Sequence, residues 1–200
     1  MAKLPFSFYL QDDVVDLAVQ LLGKKLFTRI DGNVTGGIIV ETEAYNGITD
    51  KASHAYGNRL TPRTAPMYEA GGITYVYLCY GIHHLLNVVS GAKNNPQAVL
   101  IRGIEPVEGI DVMLERRNMS KVAPRITAGP GSVAKALGID KNLNAKDLLA
   151  DEIWIEEGIK VHSENIVPSP RVGVGYAEDH ALLPWRFYIK GNVYVSKPNS

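Results

Sequence analysis

KLFTRIDGNVTGGIIVETEAY, residues 25–45, decides the fold. Lys25 to Ile30 and Val34 to Val40 are rich in β-branched and apolar residues, and the Asp31-Gly32-Asn33 between them tolerates positive φ. The stretch therefore reads as a β-hairpin. Its second strand runs without a break into Glu41-Thr42-Glu43-Ala44-Tyr45.

Upstream, Asp12 or Asp13 is placed to cap a helix whose apolar positions Val14, Leu17, Ala18, Leu21 and Leu22 keep helical spacing up to Gly23. Downstream, Tyr45 to Gly72 is rich in Gly, Pro, Thr, Asn and Arg and reads as a long surface loop. Ile73 to Tyr80 and His84 to Ser90 flank Gly81 as a second hairpin tipped near Tyr80 to His83, and Ala98 to Ile101 is a further short strand. Glu108 to Arg117 and Ser132 to Leu137 read as helices, the latter introduced by Gly129-Pro130-Gly131, and Ile153 to Ile155 and Trp185 to Ile189 read as strands. Strands joined by short hairpins, without regular strand-helix alternation, predict an α+β fold with a mainly antiparallel sheet, flanking helices and a protruding hairpin.

The chain has 200 residues, no internal repeat and no linker-like tract, so one domain over residues 1–200 is expected. A hydrophobic share of 46% with 21% charged residues favours neither disorder nor a membrane class, and the sequence begins without the layout of a signal peptide. A soluble, cytoplasmic protein is expected. The single cysteine, Cys79, lies in an aromatic run and reads as a small hydrophobe.

The formal net charge is zero, which weighs against a strongly basic nucleic-acid binder, but the distribution is uneven. Residues 116–146 hold seven basic side chains against Asp140 alone, whereas residues 147–179 hold eight acids against Lys160 and Arg171. Either these are ordinary solvated surfaces, or the molecule carries a basic, DNA-facing patch opposite an acidic one.

Side chains two apart in a strand share a face, so Glu41, Glu43 and Tyr45 either project together toward a cleft or form a solvent-facing alternation. Tyr75, Tyr77 and Tyr80, with Tyr45 and His54, offer flat surfaces suited to stacking on a base, although an aromatic stripe also suits a core.

These segments, in order, resemble the alkyladenine (3-methyladenine) DNA glycosylase family. The likeness rests on Glu41-Thr42-Glu43-Ala44-Tyr45, Ala52-Ser53-His54, Thr61-Pro62-Arg63, Tyr75-Val76-Tyr77 with Tyr80-Gly81, Asn87 and Leu100-Ile101-Arg102. It continues through Gly129-Pro130 and Arg171-Val172-Gly173-Val174-Gly175 to Arg186-Phe187-Tyr188. The resemblance implies a fold like the carboxy-terminal domain of methionyl-tRNA formyltransferase. It also implies a monofunctional enzyme that flips alkylated or deaminated purines (3-methyladenine, 7-methylguanine, hypoxanthine, ethenoadenine) from duplex DNA and hydrolyses their N-glycosidic bond.

By the same likeness Glu43 is the general base and Arg102 helps hold the water and the carboxylate. Tyr45, His54 and Tyr77 enclose the flipped base, with His54 reading its edge through the main chain. Asn87 obstructs the amino group of guanine, and Tyr80 is the intercalating wedge with Ile82 beside it. Ile82 stands where vertebrate members carry methionine, and Ala128 where they carry serine; the long amino-terminal extension of those members is missing. No metal or cofactor is implied. The expected partner is double-stranded DNA, with enzymes that process abasic sites acting next, and the chain is expected to work as a monomer at the nucleoid. Glu41 is expected to tolerate loss of its charge.

Three other readings follow from the residues. A metal-dependent nuclease would gather Glu41, Glu43 and Asp50 around magnesium. A non-catalytic nucleic-acid-binding domain would need neither Glu43 nor Arg102. A glycosylase with lyase activity would need an amine where Glu43 stands. His83 and His84 are adjacent, point apart in a strand, and suggest no zinc site.

Overall fold

The computed structural model describes residues 2–197. Strands β1 (Lys25–Ile30) and β2 (Asn33–Tyr45) form the first hairpin, with Ile30 opposite Asn33 and Asp31-Gly32 as the turn. Their φ values of 51° and 76° are both left-handed, as a type I′ turn requires. β2 is the spine of the sheet. Its first half pairs with β1, its Glu41–Glu43 segment pairs with β8 (Arg186–Ile189), and its other edge pairs with β5 (Gln97–Glu108) along most of its length.

β3 (Thr74–Cys79) and β4 (His83–Ser90) make the second hairpin, β6 (Ile153–Glu156) pairs with β1, and β7 (Ile166–Ser169) with β8. The strand order is β3-β4-β5-β2-β1-β6 with β8 and β7 branching from β2, and every pairing is antiparallel.

Helices cover the sheet. α1 (Phe6–Tyr9) is short; α2 (Val14–Gln20) is capped by Asp13, whose carboxylate accepts from the amides of Val15 and Asp16. α2 buries Val14, Leu17 and Ala18 in a main core that also takes Ala44, Val99 and Ile101 from β2 and β5. Thr42 faces the same way and donates its hydroxyl to the Ala18 carbonyl at 2.9 Å. α3 (Ile110–Arg116) and α4 (Pro130–Leu137) add Met113, Val133, Ala134, Ala136 and Leu137 to that core. Alternation along β2 then turns Glu41, Glu43 and Tyr45 to the other side. Among the described residues no helix is long and apolar enough to cross a membrane.

The structure departs from the sequence reading in three places. The fifth strand does not stop at Ile101 but runs to Glu108, so the helix expected from Glu108 begins only at Ile110, after Gly109. β7 was not anticipated, because its Val167-Pro168 core is short and its partner is set by tertiary pairing. The third difference is the largest: the stretch from Tyr45 to Gly72 is a surface loop only in part, chiefly around Tyr56 to Arg63. Asp50, Ala52, Ser53, Ala55, Thr64, Met67 and Tyr68 are buried. Ala55, Met67 and Tyr68 pack with Tyr75, Val89 and Ala98, and Ala52 packs with Val174 and Ala177. This folded-down segment forms one wall of the site.

Candidate active site

The register between β2 and β5 slips on both sides of Glu41, so Glu41 faces Gly103 while Arg102 is the extra residue on β5. Bulges of this kind re-aim side chains. Here the bulge brings Arg102 against both carboxylates: Nε donates to Glu41 Oε1 at 2.9 Å, and Nη1 lies 3.4 Å from Glu43 Oε1. The solvent-facing alternation is excluded, since both glutamates are fully buried.

Their surroundings differ. Glu41 also accepts from Arg186 Nε at 2.7 Å and from the amide and hydroxyl of Ser196 at 2.6 and 2.8 Å. Glu43 accepts from the Val172 amide at 2.8 Å on one oxygen and from the Tyr45 hydroxyl at 2.8 Å on the other. Burial, and then the charge of Glu43, hold the Tyr45 phenol well above its ordinary pKa, so it stays protonated and donates. Burial opposes the charge on Arg102, but Glu43 and Glu41 outweigh it and raise its pKa.

A cavity of about 730 Å³ opens in front of these groups, lined by Tyr45, His54, Tyr77, Asn87, Arg102 and Val172 among others. All the expected base-binding residues are thus brought together. Glu43 lies behind that wall, in contact with three residues that line it. Arg171 covers one side of the Tyr45 ring, its guanidinium carbon 4.9 Å from the ring centre. His54 meets Tyr77 edge to face at 4.7 Å, and its Nδ1 is 2.9 Å from the Tyr75 hydroxyl. Burial, with Arg63 and Arg59 nearby, lowers the His54 pKa to about 4, so the ring is neutral at physiological pH. Asn87 is buried, and its amide donates to the Tyr75 carbonyl at 3.1 Å. Cys79 lines the cavity at partial exposure instead of sitting in the core.

At the tip of the β3-β4 hairpin Tyr80 is 90% and Ile82 73% exposed, and Tyr80 lines the cavity mouth. Tyr80 holds a left-handed φ of 49° followed by Gly81 at 71°. A bulky side chain in that region is strained, and such strain concentrates at functional positions.

Several residues of the site carried no assigned role in the sequence reading. Arg171 makes a bidentate, fully buried pair with Asp50 and donates to the Ala44 and His180 carbonyls, which ties the folded-down segment to the end of β2. Arg63 lies over the Tyr77 ring at 4.9 Å. Arg186 and Ser196 hold Glu41. Arg171 and Arg186 stood in the quoted motifs, but nothing in their spacing showed their partners. Asp50 and Glu41 are each engaged by arginine, so Glu41, Glu43 and Asp50 do not converge as oxygen ligands. Among the described residues no three His, Cys, Asp or Glu side chains gather as a metal site.

The basic stretch is also partly consumed internally: Arg116 donates to Thr35 and Ala136, and Arg117 to Ile126, Arg125 and Ser132.

The profile of the methylpurine-DNA glycosylase family matches residues 7–193. A Chlamydia felis protein is 49% identical over 195 residues, covering 97% of this chain and 98% of its own. A Clostridium acetobutylicum protein is 47% identical over 201 residues, covering 97% of each chain. A Bacillus cereus protein is 44% identical over 204 residues, covering 98% and 99%. All three bear the name "Putative 3-methyladenine DNA glycosylase". An aromatic cavity beside a projecting tyrosine, in a chain with these relatives, defines a DNA glycosylase, an enzyme of DNA repair. The chain belongs to the methylpurine-DNA glycosylase family.

Proposed function

We propose that the enzyme excises alkylated or deaminated purines from duplex DNA by direct hydrolysis, with Glu43 as general base. The observation that carries this is the placement of Glu43: buried, held by Tyr45, Val172 and Arg102, and next to a cavity lined by aromatic rings. A stacked base hides its glycosidic bond, so the damaged nucleotide rotates out of the duplex into this cavity. Tyr80, with Ile82 beside it, fills the gap left in the stack.

In the cavity Tyr45 and Tyr77 stack on the base, the main chain at His54 reads its edge, and Asn87 obstructs the amino group of guanine. A water held by Glu43 and Arg102 attacks C1′ of the sugar. Its proton passes to Glu43, the C1′–N bond breaks, and the bonding electrons leave with the base. The carboxylate also stabilises the positive charge that grows on the sugar. A cationic base such as 3-methyladenine or 7-methylguanine leaves as a neutral molecule, whereas hypoxanthine and ethenoadenine need protonation on the ring. His54 is neutral at physiological pH and is poorly suited to supply that proton. The enzyme works as a monomer at the nucleoid and passes an abasic site to the next enzyme of repair.

Glu43→Gln tests the assignment. The variant is expected to bind a lesion duplex like the wild type and to lose about 10² to 10⁴ in single-turnover excision rate. Excision at the wild-type rate would overturn Glu43 as the base.

A further inference from the structure

We propose that Ser196 is a positioning residue for the Arg102–Glu43 pair, which makes the segment after β8 a working wall of the active site. The inference rests on the reading of Glu43 and Arg102 given above.

A guanidinium is planar, and two fixed points on one edge set its orientation. For Arg102 those points are Nε, donating to Glu41 Oε1 at 2.9 Å, and Nη2, donating to the Ser196 hydroxyl oxygen at 3.1 Å. With that edge occupied, Nη1 is the nitrogen that faces Glu43, at 3.4 Å. The Ser196 hydroxyl donates a hydrogen bond to Glu41 Oε1 at 2.8 Å, so it serves as acceptor for Arg102 and donor to Glu41 at once. A methyl group in its place leaves that edge of Arg102 hinged on a single bond to Glu41.

The protein fixes Ser196 from every side. Its amide donates to Glu41 Oε2 at 2.6 Å and its carbonyl accepts from Arg186 Nη2 at 2.9 Å. Gly103 makes room for the approach: a Cβ there would lie 2.7 Å from the Tyr194 carbonyl oxygen and 3.3 Å from Glu41 Oε2. Asn192 anchors the start of the segment, donating to Glu105 Oε2 at 2.8 Å and accepting from the Tyr194 amide at 2.9 Å. Ser196 is 7% exposed, and together with Lys197 it lines the cavity. A segment serving only to cover the sheet edge has no need of a hydroxyl bridging the arginine and the glutamate.

The test compares wild type, Ser196→Ala, Ser196→Thr, Arg102→Gln and the Ser196→Ala/Arg102→Gln double variant. Each is assayed for single-turnover release of methylated purines from dimethyl-sulfate-treated duplex DNA, for binding to a duplex with one tetrahydrofuran abasic site, and for thermal melting. Ser196→Ala is expected to slow release about tenfold with binding and melting essentially kept, and Ser196→Thr to restore the rate. In the Arg102→Gln background the same substitution should cost nothing further, because residues of one network are not additive. Unchanged release by Ser196→Ala, or an equal loss in both backgrounds, overturns the positioning role while leaving Glu43 and Arg102 in place. Wild-type release by Arg102→Gln alone would instead remove the reading on which the proposal stands, and the proposal with it.

Discussion

Glu41 and Glu43 are the same side chain two positions apart on β2, both fully buried, and their partners separate them. Glu41 is surrounded by two guanidiniums and the Ser196 amide and hydroxyl. Removing its charge leaves buried Arg186 without a carboxylate and Arg102 with Glu43 alone, so Glu41→Gln is expected to cost roughly 3 to 5 kcal/mol of stability, a loss that thermal melting would register. The sequence reading expected Glu41 to tolerate that change; its contacts with Arg102 and Arg186 revise the expectation. Glu43→Gln should instead melt near the wild type while losing rate, so the pair divides folding from chemistry. A second residue-scale effect comes from His54, whose pKa is about 4 in the folded protein against about 6.5 in an unfolded chain. Between those values the unfolded state binds a proton that the folded state refuses, so stability is intact above about pH 6.5 and falls as pH drops toward 4. His54→Gln should flatten the melting temperature in that window, and an unchanged pH dependence would show that burial at His54 is not its source.

Among elements, the β3-β4 hairpin separates strain from recognition at one position. Tyr80 holds a left-handed φ that glycine adopts freely. Tyr80→Gly should therefore leave stability within about 1 kcal/mol, since relief of strain offsets the extra freedom of the unfolded chain. Loss of the ring should weaken binding to a lesion duplex by roughly 1 to 3 kcal/mol, with less effect on a single strand, where no stack must be held open. Equal weakening on both would remove the wedge role. Both hairpins were legible in the sequence because Asp31-Gly32 and Tyr80-Gly81 carry turn chemistry between apolar runs, and because period-2 alternation marks which face of β2 holds Glu41, Glu43 and Tyr45. The wall of residues 46–73 was not legible. Its polar composition suits solvent, and it is buried because Asp50 meets Arg171, 121 positions away. The same holds for Glu41, whose partner Ser196 is 155 positions distant, and for Arg102, whose aim depends on a bulge that no local pattern announces.

Over the whole molecule, zero net charge and a DNA substrate are reconciled by where the charges are spent. The acidic stretch is stitched to lysines: Asp151 to Lys3, Glu152 to Lys146, Glu157 to Lys24, and Glu178 and Asp179 to Lys51. Such surface pairs add little stability, but they offset most of the field that five of the eight acids of residues 147–179 would otherwise project toward DNA. In the basic stretch Arg116 and Arg117 are turned inward. Of the described cations that line the cavity and the groove beside it, Lys51 is paired with Glu178 and Asp179 and Arg102 with Glu41 and Glu43, which leaves Arg59, Arg63 and Lys197 to meet phosphates. A duplex seated there has about three phosphates neutralised, and each contributes about −0.9 to the slope of log affinity against log salt. Binding to a lesion duplex is therefore expected to show a slope of about −3, a loss of roughly 40-fold as salt rises about fourfold. Titrations from about 50 to about 200 mM salt would measure it. A slope of about −6 would instead bring in Lys121, Arg125, Lys135 and Lys141, which are exposed, and would move the DNA path across α4. With the shallow slope, affinity comes mainly from the wedge and the stacked base, so Tyr80→Gly should leave the slope unchanged while lowering affinity at every salt concentration.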